Sequence, residues 1–427
     1  MAQKTNSYSR TLYLTLIILA GEAVFILPFV LARIFRPTLL TTFDLTNTTL
    51  GYCFSVYGIV ALISYLFGGV IADRFAPNKL MAVALALTAA GGFYFATIPE
   101  YAMLKVLYGY WGFTTIFLFW AAMIKATRVW GGSSNQGKAF GFLDGGRGLV
   151  GALFGSLGIL IFSLFVNDTL ATTDPAESST AFIYVIQTSS VVILIIAVLV
   201  YFFMRLPAQE AENTTKEKIT IADVKSVLQL RSVWLLMVII LCAYVGYKIT
   251  DIFSLYANEV MLYNEVEAAQ TGTYLLYIRP LVGVLIGFLA DRSRASLYLI
   301  FGFGISVLGA IFFASGILQP DMNIFFLLTI LITATGVYAA RVLYFAVLRE
   351  GKIPLQLTGT AVGVVSVIGY TPDIFAGPMI GYLLDSSPGR TGHEHVFWML
   401  CGFSVVGLVA SWLFYKWSRA NSQLEEV

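Results

Sequence analysis

The stretch GVIADR at residues 69–74 returns in the second half of the chain as GFLADR at residues 287–292. Each copy stands at the end of a long apolar run, and that run is the second one in its half. A shorter repeat, ATR at 126–128 and AAR at 339–341, follows the fourth run of each half. Similarity between the halves at this scale is typical of membrane proteins built from two related helix bundles.

The sequence around these repeats is strongly apolar. Of its 427 residues, 58% are hydrophobic and 12% are charged, and the mean hydropathy is +0.81. A soluble protein carries about 25% charged residues, so this chain cannot cover a water-facing surface of its size. The apolar residues form runs of about 20 residues, the length that crosses a bilayer. Twelve such runs lie at about 11–34, 49–71, 79–98, 101–124, 138–165, 180–204, 233–257, 268–290, 296–316, 323–346, 356–384 and 394–417.

Helices are the predicted element, because an open strand leaves its backbone groups without hydrogen bonds in lipid. We therefore expect an all-α membrane protein with twelve transmembrane helices in two pseudo-symmetric six-helix bundles. The bundles are predicted at residues 1–205 and 233–427, with a linker at 206–232. Small residues at helical spacing predict that the fifth helix approaches its neighbours closely, through Gly148, Gly151, Gly155 and Gly158.

The placement of lysine and arginine predicts the orientation. With the N-terminus in the cytoplasm, most of the 26 basic residues fall in cytoplasmic segments, whereas the opposite loops contain Arg36 and Arg390. Positive residues concentrate on the cytoplasmic side of membrane proteins. We expect an integral protein of a bacterial inner membrane, with both termini in the cytoplasm.

The stretch 69–79 resembles the loop 2–3 signature of the major facilitator superfamily, Gly-xxx-Asp-Arg-x-Gly-Arg-Lys, with Ala76 and Pro77 in place of its second Gly and Arg. The segments 136–148 and 368–385 are similar to a bacterial branch described as sugar-phosphate or nitrate/nitrite-type permeases. The resemblance implies the superfamily's fold and a secondary active transporter that works by alternating access.

The repeated Asp-Arg pairs are gating candidates. An Asp at a helix end can meet the positive N-terminus of a neighbouring helix, and an Arg can pair across a bundle interface. A latch on the cytoplasmic side is therefore expected, although a plain positive-inside anchor is the alternative. Asp144 and Arg147 share a helix face, where structural pairing or gating is expected. The predicted gating residues are Asp73, Arg74, Arg128, Asp144, Arg147, Asp291, Arg292 and Arg341.

Among the ionisable residues inside the predicted spans, five are the candidates for a central site: Glu22, Lys248, Asp251, Arg279 and Asp373. A charge at the centre of a membrane helix costs about 2.5–3.5 kcal/mol on insertion scales, so such residues are functional candidates by default. The resemblance implies that their helices line a central cavity. All five are therefore expected to face one aqueous pocket.

Lys248 and Arg279 are the predicted ligands of an anionic substrate, because a guanidinium fork fits carboxylate, sulfonate or phosphate. The structural alternative is that Asp251 neutralises Lys248 and that Glu22 or Asp373 neutralises Arg279. Three aromatic residues are expected to line the pocket: Tyr57, Tyr247 and Tyr277. The alternative is that these side chains only pack against neighbouring helices.

Carboxylates in a low-dielectric pocket bind protons more readily than they do in water, and can load and release them. The candidates for proton coupling are Glu22, Asp251 and Asp373. We favour Glu22, because its own span contains no nearby cation before Arg33.

These observations predict a proton-coupled symporter of a small organic anion of the sugar phosphate, sulfonate or carboxylate class. The alternatives are an exporter of drugs or metabolites with the same fold, and a transporter-like membrane sensor. No nucleophile, metal or phosphate-loop motif predicts an enzyme. We expect a monomer in the lipid bilayer, with the anion and a proton as partners and with no cofactor, metal or nucleic acid.

Overall fold

The structure of the protein is a computed structural model that describes residues 2–131, 136–166, 175–204, 221–343, 346–348, 350–353 and 358–423. The regular elements in these ranges are helices. Twelve of the helical segments are long and apolar enough to cross a membrane, which confirms the predicted architecture. The spans are α1 Arg10–Ile34, α2 Asn47–Tyr65, α3 Pro77–Phe95, α4 Tyr101–Gly131, α5 Gly141–Ser163, α6 Pro175–Phe203, α7 Arg231–Glu259, α8 Glu265–Ala290, α9 Ala295–Ala314, α10 Asn323–Leu343, α11 Gly363–Ser386 and α12 Arg390–Asn421.

Four spans belong to helices that extend beyond them, namely Asn47–Arg74, Gln136–Ser163, Glu265–Asp291 and Arg390–Gln423. Four others are built from consecutive pieces. The pieces are Ala2–Phe25, π-helical Ile26–Val30 and Leu31–Ile34 for α1; Tyr101–Gly112, π-helical Phe113–Trp120 and Ala121–Gly131 for α4; Arg231–Ile249, 3₁₀-helical Thr250–Ile252 and Phe253–Glu259 for α7; and Thr358–Gly369 and Pro372–Ser386 for α11. Shorter helices are Arg36–Thr42, Ile221–Leu228 and the 3₁₀ turn Ala346–Leu348.

Side chains satisfy the backbone at both ends of the α2 helix. At its start the Thr46 hydroxyl accepts from the Thr49 backbone N–H at 3.2 Å, and the Thr49 hydroxyl accepts from the Thr46 N–H at 2.9 Å. This reciprocal capping box removes two unpaired donors. At the other end, Lys125 Nζ of α4 donates to the carbonyl of Ala72 at 2.8 Å, which places a positive charge at the negative end of the helix.

The chain divides by its contacts into two compact units. Unit 1 contains Met1–Thr215, Asp251–Asn258 and Tyr263–Pro280, and unit 2 contains Lys216–Thr250, Glu259–Leu262 and Leu281–Val427. Membership therefore changes within α7 and α8. Two of these changes, between Thr250 and Asp251 and between Pro280 and Leu281, coincide with an irregular feature of the helix: the 3₁₀ turn Thr250–Ile252 in α7 and the internal proline of α8. The boundaries of the two bundles and the linker, at 1–205, 206–232 and 233–427, stay a prediction.

Small residues set the close helix contacts of unit 1. A methyl group added at Gly148 of α5 would lie 2.9 Å from Pro280 Cδ, and one added at Gly155 would lie 2.8 Å from the Thr273 hydroxyl. There is no room for a side chain at either position. The glycine stripe therefore lets α5 approach α8, as its spacing indicates.

In unit 2, glycines serve the same purpose where α9 crosses α10. A methyl group at Gly302 would lie 3.1 Å from the backbone nitrogen of Ala340, and one at Gly336 would overlap the backbone nitrogen of Ser306. Because the obstacle at Gly336 is backbone, no rotamer change can relieve the overlap.

The substitution Gly336→Ala is therefore expected to force α9 and α10 apart. Overpacking of this kind costs about 1–3 kcal/mol, so the thermal unfolding midpoint of the purified protein in detergent should fall by several degrees. Gly402→Ala in α12 is the matched control, because a methyl group there meets no neighbour within 4 Å. Alanine's higher helix propensity predicts an unchanged or raised midpoint for the control. Equal midpoints for the two variants would show that the crossing does not need glycine.

Candidate functional site

The span α1 loses regular α-helical geometry one turn after its buried acid. Glu22 is 3% exposed and lies in the last turn of Ala2–Phe25, before the π-helical piece Ile26–Val30, which contains Pro28. Proline cannot donate the helical hydrogen bond, and single π turns occur frequently at functional sites. The sequence thus places an acid beside a backbone irregularity.

Three other charged side chains of unit 1 join this acid in one cluster, and we call the four together the four-charge cluster. Arg147 Nε of α5 donates to Glu22 Oε2 at 3.1 Å, and Arg279 Nη1 of α8 lies 3.8 Å from Glu22 Oε1. Arg279 Nη2 also donates to Asp144 Oδ1 at 2.9 Å. With two arginines and two carboxylates, the cluster has no formal net charge.

The members of the cluster differ sharply in their access to solvent. The side chains of Arg279 and Glu22 are 2% and 3% exposed, whereas that of Asp144 is 45% exposed. The Arg147 guanidinium also lies over the rings of Phe25 at 5.2 Å and Trp120 at 5.8 Å. These cation–π contacts hold Arg147 in place.

A second buried ion pair in unit 1 joins α1 to the last part of α7. Arg33 Nε lies 2.6 Å from Asp251 Oδ1, with side-chain exposures of 2% and 8%. The Ser254 hydroxyl donates to the carbonyl of Arg33 at 2.7 Å. Gly272 of α8 also lies against this backbone, where a methyl group would come within 3.0 Å of the Arg33 oxygen. The pair is therefore enclosed by tightly packed backbone.

Unit 2 contains its own charge cluster. Lys248 Nζ of α7 lies 2.7 Å from Asp373 Oδ1, and the Tyr244 hydroxyl donates to both oxygens of Asp373 at 3.1 Å. Asp373 stands in the first turn of Pro372–Ser386, where the helix dipole stabilises a negative charge. Lys248 also lies 5.7 Å from the centre of the Tyr244 ring.

Aromatic rings extend this cluster within unit 2. The Tyr244 ring stacks on Tyr247 at 5.9 Å and meets Tyr370 edge-on at 5.0 Å. The guanidinium of Arg341 lies 3.8 Å from the centre of the Tyr247 ring. Sequence reasoning missed Tyr244 and Tyr370. Tyr244 was detectable, because it stands four residues before Lys248 and therefore shares its helix face.

The structure decides between several of the pairings considered from sequence. It brings Glu22 and Arg279 together, and it pairs Lys248 with Asp373 and Asp251 with Arg33. The role of Glu22 in proton coupling stays a prediction. Its own span contains no nearby cation, but α5 and α8 supply Arg147 and Arg279. Whether the five intramembrane charges face one pocket stays a prediction.

The remaining aromatic candidates have different surroundings. Tyr57 is 2% exposed, and its hydroxyl lies 2.7 Å from that of Thr115 within the core of unit 1. Tyr277 is 37% exposed, and its hydroxyl lies 2.9 Å from that of Ser156 on α5. Of the two, Tyr277 has the more exposed side chain.

The predicted latch residues are described only in part. Arg74, Arg128 and Arg292 are exposed, and Arg292 lies 4.0 Å from the centre of the Phe288 ring. The side chains of Asp73 and Asp291 lie outside the described part of the structure. The latch therefore stays a prediction.

The fold, with twelve membrane helices and charged side chains buried inside them, is that of a membrane transporter. A family model described as the Major Facilitator Superfamily matches residues 13–376. Because this match covers most of the chain, the protein belongs to the Major Facilitator Superfamily. It is a transporter rather than an enzyme.

Two relatives from Escherichia coli (strain K12) align over nearly the whole chain. The sequence is 29% identical over 425 residues to "Inner membrane protein YqcE", covering 98% of this chain and 97% of the relative. It is 26% identical over 412 residues to "Inner membrane protein YihN", covering 94% of each. These names state a location and no substrate. They support an integral protein of a bacterial inner membrane.

Two solved structures have the same fold. The nucleoside transporter NupG matches with a TM-score of 0.69 at 14% identity, covering 95% of this chain and 99% of that chain. A bacterial homolog of the human lysosomal transporter Spinster, in an inward-facing and unoccupied conformation, matches with a TM-score of 0.69 at 16% identity, covering 96% and 98%. At such identity the likeness shows the fold alone.

The buried Arg33–Asp251 pair is expected to be structural. Removing one partner of a buried pair leaves an uncompensated charge and costs about 3–5 kcal/mol, whereas replacing both with apolar residues is often neutral. Asp251→Ala should therefore lower the thermal unfolding midpoint strongly, and the double substitution Arg33→Met with Asp251→Leu should recover most of the loss.

The exposed Asp321, changed to alanine, is the control and should leave the midpoint unchanged. A double variant that is less stable than Asp251→Ala would show that the two charges do not act as a pair.

Proposed function

We propose that this transporter moves a small organic anion together with a proton. The main support is Arg279, whose side chain is 2% exposed and whose terminal nitrogens lie 3.8 Å from Glu22 and 2.9 Å from Asp144. A guanidinium held in this way presents a planar fork inside a membrane helix. The same fork fits the carboxylate, phosphate or sulfonate group of a solute.

Lys248 is the second proposed cation, and the surroundings of Lys248 support a role beyond helix packing. Tyr244 places a hydroxyl on the paired acid, Asp373, and Tyr247 stacks on Tyr244 while carrying Arg341 over its ring. Hydroxyl groups and aromatic faces next to cations suit an organic acid or a phosphorylated sugar. We propose that Lys248 is an anion-binding residue of unit 2 with Tyr247 beside it, and that Arg279 is an anion-binding residue of unit 1 with Tyr277 on the same helix.

The proposed substrate class comes from the resemblance of residues 136–148 and 368–385 to permeases of the sugar-phosphate type. The solved neighbour NupG is a nucleoside transporter, and a nucleoside has no anionic group. An uncharged solute gains little from contact with a buried arginine, because it has no oxyanion to accept the paired N–H hydrogen bonds of the guanidinium. A nucleoside is therefore the informative neutral competitor.

Transport would proceed by alternating access, with proton symport supplying the driving force. Glu22, Asp251 and Asp373 are the sequence-derived candidates for the proton site. Each lies in a charge pair, so protonation of any of them would release a basic partner. We also propose cytoplasmic termini and a monomeric carrier, from the distribution of basic residues and from the superfamily's usual form.

Arg279→Gln is expected to reduce uptake of the anion about 10- to 100-fold, because a charge-assisted hydrogen bond contributes about 1.5–3 kcal/mol. The measurement is uptake into liposomes by purified protein, with and without an imposed pH gradient. The panel contains a hexose phosphate, an alkyl sulfonate, a hydroxy-carboxylate and a nucleoside.

Arg419→Gln, the same change at an exposed position of the last helix, is the control and should transport as the wild type does. Uptake of the nucleoside by wild type and Arg279→Gln alike, with no uptake of any anion, would exclude the proposed substrate class.

A further inference from the structure

We propose that an apolar groove in unit 2 holds one acyl chain of an anionic phospholipid, and that Arg231 binds the phosphate of its headgroup. The groove lies between α7, α11 and α12 and has a volume of about 380 Å³. Ligand pockets in proteins typically measure about 300–1,000 Å³. The inference goes beyond the proposed transport and does not depend on the solute. The side chains that line the groove include Trp234, Met237, Leu241, Ile368, Phe403 and Val406.

The groove opens towards the surroundings of the helices and is apolar throughout. Its floor is buried, with Met237 and Cys242 each 3% exposed, whereas Trp234 and Val406 at its sides are 53% and 51% exposed. A methyl group added at Gly402, which also lines the groove, meets no neighbour within 4 Å. The residues that line the groove carry no charge, whereas a water-filled cavity between membrane helices is lined by polar side chains. The groove therefore faces acyl chains.

The depth of the groove matches one leaflet of a bilayer. Arg231 is exposed at the start of α7, three residues before Trp234 and seven before Val238, so it shares their helix face. From Arg231 to Leu241 the helix rises about 15 Å at 1.5 Å per residue. Half of the hydrocarbon core of a bilayer is also about 15 Å thick. A chain in this groove therefore extends from the level of Arg231 to about the middle of the membrane.

Trp234 marks the surface end of the groove. Tryptophan is enriched at the boundary between headgroups and acyl chains. The Trp234 Nε1 donates to the carbonyl of Leu228 at 2.8 Å, in the last turn of the short helix Ile221–Leu228. Val227 of that helix is fully buried in the core of unit 2. These contacts hold the short helix against the bundle and keep its exposed Lys225 near the start of α7.

Selection of the lipid depends on its headgroup. An acyl chain gains little by entering an apolar groove, because the other chains of the bilayer are equally apolar. Basic side chains next to the membrane surface attract anionic lipids. The segment 221–234 contains the basic residues Lys225 and Arg231 and one acid, Asp223, so it is positive. A negatively charged phospholipid therefore fits both ends of the site, whereas a zwitterionic one fits only the groove.

The test measures lipid binding to the purified, delipidated protein in detergent by native mass spectrometry. The probes are phosphatidylglycerol and phosphatidylcholine with the same two oleoyl chains. Wild type should bind one phosphatidylglycerol molecule about fivefold more tightly than phosphatidylcholine. Arg231→Gln should lose this preference, with phosphatidylcholine binding unchanged.

Arg419→Gln is the matched control for charge. Arg419 is exposed near the end of α12, and six spans return the chain to the membrane side on which α7 begins. It lies about 140° around α12 from Val406, at 3.6 residues per turn, and therefore points away from the groove. This variant should keep the wild-type preference for phosphatidylglycerol. Equal losses in Arg419→Gln and Arg231→Gln would overturn the assignment of Arg231.

Gly402→Leu tests the groove itself. A leucine side chain there takes up the space proposed for the acyl chain, so the tightly bound phosphatidylglycerol should disappear. Gly363→Leu is the control, because Gly363 is exposed on α11, lies outside the groove and likewise has no neighbour within 4 Å of an added methyl group. Unfolding midpoints measured without lipid establish that both variants are folded.

Tryptophan fluorescence gives a readout that does not need a Gly402 variant. Phosphatidylglycerol brominated in its acyl chains quenches the tryptophans that it contacts. At one lipid per protein, the quenching should be largely lost in Trp234→Phe, which keeps an aromatic ring in the groove.

Three results would overturn the inference. Wild type could bind the two lipids equally, as it would if they only surround the helices. Gly402→Leu could be folded and still bind phosphatidylglycerol as wild type does. Finally, the brominated lipid could quench wild type and Trp234→Phe to the same extent.

Discussion

The pairing of opposite charges inside apolar helices is the constraint on which the rest of this structure depends. Each of the five intramembrane residues proposed for a central site, Glu22, Lys248, Asp251, Arg279 and Asp373, lies at salt-bridge distance from an opposite charge. An isolated charge at such a depth costs about 2.5–3.5 kcal/mol, and a buried partner offsets that cost only if it stays in place. The pairs therefore fix helices to one another, α1 to α5 and α8 in unit 1, and α7 to α11 in unit 2.

The helix α7 shows how far this constraint reaches. Lys248 and Asp251 are three residues apart, and on a regular α-helix they would share one face. Lys248 lies in the α-helical piece Arg231–Ile249, whereas Asp251 lies within the 3₁₀ turn Thr250–Ile252, and the contacts of the chain change from unit 2 to unit 1 at the same place. Lys248 accordingly lies against Asp373, and Asp251 lies against Arg33. A local departure from α-helical geometry lets neighbouring charges take different partners.

This example also marks the limit of what the sequence could predict. Hydropathy identified the twelve spans, because a bilayer imposes their length and composition on every helix separately. The choice of partner for Glu22 could not be predicted in this way. Its cations, Arg147 and Arg279, come from distant helices, and only packing decides which of them meet. The stripe containing Gly151 gave a partial signal, since a methyl group added at that glycine would lie 3.1 Å from Glu22 Oε1.

Ion pairing alone does not separate structural charges from functional ones, but solvent exposure does. In the Arg33–Asp251 pair both side chains are buried, so neither water nor a solute can replace either partner. This pair therefore holds helices together. The Arg279–Asp144 pair differs, because the Asp144 side chain is 45% exposed whereas that of Arg279 is 2% exposed. A carrier needs buried binding groups that stay neutral when the site is empty and that can still be reached from water. An ion pair with one buried and one more exposed member fits both requirements.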